Sequence, residues 1–321
     1  MKAKAFAPTN IALAKYWGKR DIDLNLPANG SLSATLDHFG STTSVEFNSS
    51  LTEDIFFLNG KADRSTGKVR RVLDRLRKLS GHSKFAHVES SNNFPTGAGL
   101  ASSASGLAAL TVAGSQALGL DLSKTKLSEI ARQGSGSASR SLDEGFVEWK
   151  RGELSDGSDS VASSVFSSTH FPLNVFIAVI SAETKHTLST DGMLHTQRTS
   201  PYFDSWVASA EESISKIKEA IAQKNFELLA ALTEANCLQM HASAMAAVPA
   251  VIYFKPQTLQ VIEKVRALRA DGCEVFFTID AGPNVVVFSS PENSLRVEDE
   301  LRALKPADLL KTKLGKGACL L

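Results

Sequence analysis

Residues Pro95 to Ser105, PTGAGLASSAS, constrain this chain more than any other stretch. Lys84 to Ser91 before them reads as a strand, and Leu107 to Leu118 after them, rich in Ala and Leu, reads as a helix. Strand, glycine-rich loop and helix together aim backbone N–H groups and a helix N-terminus at an anion. Gly97 and Gly99 let the backbone approach a ligand with no Cβ in the way. Ser102 and Ser103 offer hydroxyls to phosphate oxygens or to a bound Mg2+. No lysine follows the second glycine, so the P-loop pattern GxxxxGK[ST] is absent. The same residues also suit an ordinary helix start with serine caps. The rest of the chain decides between the two.

The 321 residues allow two domains or one large one. A formal net charge of +1 gives no reason to expect a polyanionic partner or a membrane surface. The three cysteines, Cys237, Cys273 and Cys319, are far apart and have neither metal-ligand spacing nor a disulfide framework. No apolar run reaches the ~20 residues of a membrane span, and MKAKAFAPTN lacks the apolar core of a signal peptide. A reduced, cytoplasmic setting is the expectation. No internal repeat or low-complexity segment is present.

Lys2 to Ala14 reads as a strand entering a loop, followed by KYWGKR, Lys15 to Arg20. That segment is either a solvated basic turn around a packed Trp or an anion clamp. In a clamp, Lys15 and Lys19 supply charge while Tyr16 and Trp17 supply shape and a donor. Ser31–Leu36 and Ser41–Phe47 read as two strands, and Asp54–Leu58 as a third, closed by Asn59-Gly60. Val69, Val72, Leu73, Leu76 and Leu79 carry helical spacing among arginines and lysines, up to Gly81. The basic residues suit a solvated face, although Lys68 is also placed to reach a phosphate.

Leu127–Gln133 reads as a helix running into a second small-residue loop, GSGSASRSL, Gly134 to Leu142. Ser135 and Ser137 offer hydroxyls, and Arg140 adds a planar cationic fork. A flexible linker is the alternative. Phe146–Trp149 resumes strand character. Arg151–Thr169 is polar and aperiodic, so a domain boundary is expected there. Leu173–Ile180 is a buried strand, Thr184–Gly192 a polar loop, and Val207–Ile221 the start of a long helical region reaching Met245. His241 lies on it, where packing is the simpler role. Leu259–Leu268 is another helix, and Glu274–Ile279 a strand ending in DAGPN, Asp280 to Asn284. Asp280 either caps its own turn or acts on a ligand. Ser290-Pro291-Glu292 is expected to open a last helix. Two phosphate-type loops, a basic aromatic segment and a strand-end aspartate together supply what phosphoryl transfer needs.

KYWGKR, NNFPTGAGLASSASG, RQGSGSASRSL and IDAGPN, in that order, resemble the diphosphomevalonate decarboxylase family of the GHMP kinase superfamily. The likeness runs from Ala7 to about Phe288. It implies a two-domain α/β (α+β) fold with the active site in the cleft between the domains. Residues 1–170 would be ribosomal-protein-S5-like, with a left-handed crossover against the usual rule, and residues 171–321 GHMP-type. The implied reaction is ATP-dependent decarboxylation of mevalonate 5-diphosphate to isopentenyl diphosphate, with Mg2+. Asp280 matches the catalytic aspartate and Lys15 the lysine beside it. Tyr16, Trp17, Gly18 and Lys19 match a substrate-binding segment. Ser135, Gly136, Ser137, Ala138, Ser139 and Arg140 match the diphosphate loop. Pro95, Gly97, Ala98, Gly99, Leu100, Ala101, Ser102 and Ser103 match the ATP loop, with Ser102 or Ser103 near the metal and Ser103 as its candidate ligand; Lys68 is a candidate nucleotide contact. The partners implied are small molecules, in a homodimer, with no nucleic acid and no membrane.

The chain departs from the family's pattern at Asn29-Gly30-Ser31, Gly97, Ser139 and Asp143-Glu144. It also lacks an arginine that some members carry around Thr190. Rival expectations are a mevalonate 5-phosphate decarboxylase, a mevalonate 3-kinase, and an RNA-binding S5-like protein. The Lys15 and Asp280 matches speak against the kinase. The net charge of +1 and the lack of a basic, aromatic-interleaved stripe speak against RNA.

Overall fold

The computed structural model describes residues 1–63, 67–95, 102–183 and 187–321. The first half runs β1 (Lys2–Ala14), β2 (Lys19–Asp21), β3 (Leu26–Pro27), β4 (Ser31–Asn48), β5 (Ile55–Leu58) and β6 (Lys61–Ala62). Then come α1 (Gly67–Ser80), β7 (Phe85–Asn92), α2 (Ser102–Ala117), α3 (Lys124–Gly134), a 3-10 helix (Gly136–Leu142), β8 (Phe146–Trp149) and β9 (Ala162–Phe166). The second half runs β10 (Asn174–Val179), α4 (Ser189–Thr199), α5 (Phe203–Ala222), α6 (Phe226–Met245) and α7 (Pro256–Ala270). It closes with β11 (Val275–Thr278), β12 (Val285–Ser289), α8 (Ser294–Ala303), β13 (Asp308–Lys313) and β14 (Cys319–Leu320).

The first sheet has the order β14-β1-β4-β7-β5-β6, with β8 and β9 joined through β4. The second, β11-β12-β10-β13, is antiparallel throughout. β5 and β7 are parallel neighbours connected through α1. Asn59 and Gly60 both take positive φ between β5 and β6, the backbone a two-residue hairpin turn demands.

β1 and β4 are long enough to serve two cores. Ala5, Ala7, Val45 and Phe47 pack with α1 to α3, while Ile11, Leu13, Leu32 and Leu36 pack with the second sheet, α5 and α6. The changeover coincides with a register shift between Pro8 and Asn10. Opposite it, a Cβ on Gly40 would collide with the Ala7 carbonyl and the Phe6 ring, so only glycine lets the strands close there. Ser31–Leu36 and Ser41–Phe47 are therefore one bent strand rather than two. The α1 stripe Val69, Val72, Leu73 and Leu76 is buried, each side chain contributing roughly 1.5–3 kcal/mol as an upper figure.

Two other expectations change, and the polar segment Arg151–Thr169 gains a strand, β9. The Arg132 guanidinium, fully buried, donates to the carbonyls of Gly157 at 2.7 Å and Ser160 at 2.5 Å and ties this polar segment to α3. Pro291 lies in a turn and α8 begins at Ser294; Asn293 stands at the N-cap position, its Oδ1 accepting from Glu274 N and Ser290 Oγ rather than from the helix. The end of the expected Thr184–Gly192 loop is the first turn of α4.

Candidate active site

A cavity of about 710 Å³ is lined by residues from both halves of the chain, inside the size range of small-molecule sites. Lys15, Tyr16, Trp17 and Lys19 reach it from the segment after β1, Lys68 and Arg71 from the start of α1, and Ser102 and Ser103 from the start of α2. Ser135, Gly136, Ser137 and Arg140 come from the α3 to 3-10 junction. Asp191 and Met193 of α4, Met240 of α6, and Asp280 just beyond β11 complete the second wall.

Twelve of the expected site residues thus share one cavity: Lys15, Tyr16, Trp17, Lys19, Lys68, Ser102, Ser103, Ser135, Gly136, Ser137, Arg140 and Asp280. Gly97, Ala98, Gly99, Leu100 and Ala101 lie outside the described residues. Gly18, Pro95, Ala138 and Ser139 do not line the cavity. Gly18 has φ +120° and a Cβ there would lie 2.5 Å from Phe203 Cζ, so its part is backbone shape. Ala138 is buried in the core under α2 and α3. Ser139 Oγ donates to the Gly136 carbonyl at 2.7 Å and braces the loop from behind. The loop itself is a 3-10 helix, not a linker.

Lys15 Nζ lies 2.5 Å from Asp280 Oδ1 and donates to the Ala12 carbonyl at 2.9 Å. Lys15 is almost wholly buried, whereas the Asp280 side chain keeps 32% exposure, on the cavity side of the pair. The Asp280 carboxylate is thus paired with Lys15 at the cavity's edge.

A second feature is unbalanced positive charge. Lys19 is half-buried, and its pKa falls to about 8 through burial first, then through the charges of Lys68 and Arg71. The Lys68 pKa is lowered by partial burial and by Arg71, against the opposing pull of Asp191. Three cations on one wall suit an anionic ligand such as a phosphate chain.

Opposite them, Arg140 is fully enclosed. Its Nη1 donates to Ser31 Oγ at 2.6 Å and its Nε to Asn10 Oδ1 at 3.2 Å. Burial lowers its pKa to about 10, offset by Asp280 and Tyr16. Burial holds the Tyr16 phenol above its ordinary value, so it stays a neutral donor, and its Oη has no partner among the described residues. Trp149 backs this corner: its ring is 4.8 Å from that of Tyr16 and 5.9 Å from the Arg140 guanidinium.

Sequence reasoning missed Arg71 and Asp191. Arg71 follows Lys68 by three residues on one helical face, a signal that was available. Asp191 carried none, because it comes from the other half of the chain. Of the departures from the family's pattern, the Asp143 carboxylate is met by Lys124 Nζ at 2.5 Å. Among the described residues no three His, Cys, Asp or Glu side chains gather for a metal. Oxygen donors on Ser102, Ser103 and Asp280 beside a phosphate-seeking wall do suit magnesium, which is held by few protein oxygens plus substrate phosphates.

Two α/β domains around a cation-lined cleft, with a helix N-terminus and a Lys–Asp pair in it, define a small-molecule enzyme of the GHMP kinase type. A diphosphomevalonate decarboxylase-like N-terminal domain profile matches residues 7–162, and a mevalonate 5-diphosphate decarboxylase C-terminal domain profile matches residues 175–316. The chain belongs to the diphosphomevalonate decarboxylase family. It is 41% identical to the diphosphomevalonate decarboxylase of Homo sapiens over 305 residues, 88% of this chain and 75% of that one. The solved mevalonate diphosphate decarboxylase of Enterococcus faecalis matches with a TM-score of 0.93 and 42% identity, over 100% of this chain and 99% of that one. A solved complex of MDDEF with MVAPP, AMPPCP and magnesium matches with a TM-score of 0.94, at the same identity and coverage.

Proposed function

We propose that this chain decarboxylates mevalonate 5-diphosphate to isopentenyl diphosphate, consuming ATP and releasing ADP, phosphate and CO2. The Lys15–Asp280 pair at 2.5 Å, facing a cavity walled by cations, is the observation that carries the reading. The relatives' names and the neighbour bound to MVAPP, AMPPCP and magnesium support it.

Asp280 orients the tertiary 3-hydroxyl and takes its proton as the γ-phosphoryl group arrives. Lys15 offsets the charge that gathers between Asp280, the phosphoryl group and the substrate carboxylate. The new 3-phosphate is a far better leaving group than hydroxide. As its C–O bond breaks, the electron pair of the C–COO⁻ bond becomes the alkene π bond and CO2 departs. Tyr16, Lys19, Ser135, Ser137 and Arg140 hold the diphosphate. Lys68, Arg71 and the start of α2, with Ser102 and Ser103, hold the nucleotide. Magnesium, when bound, would be held by oxygens of Ser102, Ser103 and Asp280 together with the substrates and would supply charge neutralisation to the phosphates.

The same proposal divides the chain at residues 170 and 171, supported by the two profiles meeting between 162 and 175; β14 then crosses back to the first sheet. The family resemblance extends the proposal to a homodimer in the cytoplasm. Light scattering on the 34.3 kDa chain tests the dimer. No helix of the described residues is long and apolar enough to cross a membrane.

The deciding experiment incubates the protein with ATP, Mg2+ and mevalonate, its 5-phosphate or its 5-diphosphate. ADP, CO2 and phosphate are measured together. Equal release of all three with the diphosphate is expected. ADP without CO2 would make it a kinase, and CO2 from the monophosphate alone would change the substrate.

A further inference from the structure

The peptide that carries Asp280 is held by a helix rather than by its sheet. The β11–β12 ladder ends at Thr278 opposite Val286. Ile279, the next residue and fully buried, has no strand partner among the described residues for its N–H or its carbonyl. An unmet buried peptide costs about 1–3 kcal/mol per group. Two side chains of α6 meet it instead. Ile279 N donates to Cys237 Sγ at 3.1 Å, and Cys237 Sγ donates back to the Ile279 carbonyl at 3.4 Å. His241 Nε2 contacts the same carbonyl at 3.2 Å, which makes it the donor.

The other half of the pair is tied to the same helix. Lys15 lies one residue beyond β1, and its N–H donates to Asn236 Oδ1 at 2.7 Å. Asn29 Nδ2 donates to the Lys15 carbonyl at 2.7 Å. Asn236, Cys237 and His241 are all buried, and the last two are one helical turn apart on α6. Thus one rigid stretch of α6 takes hold of both backbones, from segments that lie 265 residues apart.

We propose that Asn236, Cys237 and His241 are positioning residues that hold Lys15 and Asp280 in register for the reaction. None of the three is among the described residues that line the cavity. Their effect passes through the backbone: a peptide free to shift by an ångström carries the Asp280 carboxylate with it. Such displacements cost about 100-fold in rate. The inference rests on the assignment of Asp280 as the acting carboxylate.

The test uses the full chain with ATP, Mg2+ and mevalonate 5-diphosphate. His241→Phe keeps ring size and removes the donor, while His241→Gln keeps a donor at similar reach. Cys237→Ala and Cys237→Ser form the same contrast on the thiol. Turnover should fall about 10 to 100-fold in His241→Phe and Cys237→Ala, with both KM values and calorimetric affinities within about threefold of the parent. Gln and Ser should restore most of kcat. Parent turnover in folded His241→Phe and Cys237→Ala overturns the proposal, as does equal loss in the conservative variants. If His241→Phe fails to melt cooperatively, the Cys237 pair decides by the same criteria. Unfolding of both Cys237 variants would assign the contacts to stability alone and also overturn it. Asp280→Asn, run in parallel, separates the two claims: parent turnover there sinks the functional reading itself. Its inactivity beside fully active clamp variants sinks only the positioning.

Discussion

Lys19 is expected to make substrate capture fall with rising pH through about 8. Its ordinary value is 10.5, and burial followed by Lys68 and Arg71 brings it down. The sign follows directly. Below the lowered pKa Lys19 is a cation in the free enzyme and attracts the diphosphate; above it, the amine is neutral. With a midpoint near 8, about one molecule in eleven keeps the charge at pH 9, so kcat/KM for the diphosphate substrate should drop about tenfold per pH unit, or about 1.4 kcal/mol. The diphosphate is already fully ionised there and adds no limb of its own. Lys68→Met removes the second-largest cause, so the limb should move up toward 10.5, whatever happens to the absolute rate. Lys19→Met should abolish the limb. The assay is kcat/KM from pH 6.5 to 10 in parent and both variants, at saturating ATP. A limb that persists in Lys19→Met, or one that stays in place or moves down in Lys68→Met, would refute the cation-cluster argument.

Asp280→Asn should retain affinity for ATP and mevalonate 5-diphosphate by calorimetry, while turnover falls by roughly two to four orders of magnitude; Lys15→Met added to it should cost little more, since the two act as a unit. Arg140→Ala removes a charge-assisted donor and should weaken diphosphate binding by about 1.5–3 kcal/mol, read as KM; an unchanged KM would put the diphosphate elsewhere. Gly136→Ala places a methyl 2.6 Å from Trp149 Cη2 and 2.9 Å from Tyr16 Cε1. It should lower kcat/KM with little change in melting temperature, and parent kinetics would show that the Trp149 corner yields freely.

Much of the local structure was legible because its causes are local. The 3.6-residue spacing in α1 and α5, the Asn59-Gly60 turn and the small-residue loops need only neighbours in sequence to be read. The motifs Lys15–Lys19, Ser135–Arg140 and Asp280–Asn284 likewise announced an anion-handling enzyme, and the family likeness ordered them. β13 and β14 were not anticipated; their polar, short segments are strands because β10 and β1 supply the partner edges.

What the chain alone determined, then, was which segments carry charge, turns and apolar faces, since those are properties of adjacent residues. The meeting of Lys15 with Asp280, expected from the family likeness but from neither segment's own pattern, the grouping of Lys19, Lys68 and Arg71 against Asp191, and the grip of Asn236, Cys237 and His241 on both backbones were decided by tertiary structure. Each of these contacts joins residues from separate elements, and no periodicity within one segment encodes which distant surface it will pack against. The bend of β1 and β4 at Pro8 and Gly40 is of the same kind. It exists because one strand pair must complete two hydrophobic cores at once, a demand visible only when both cores are present.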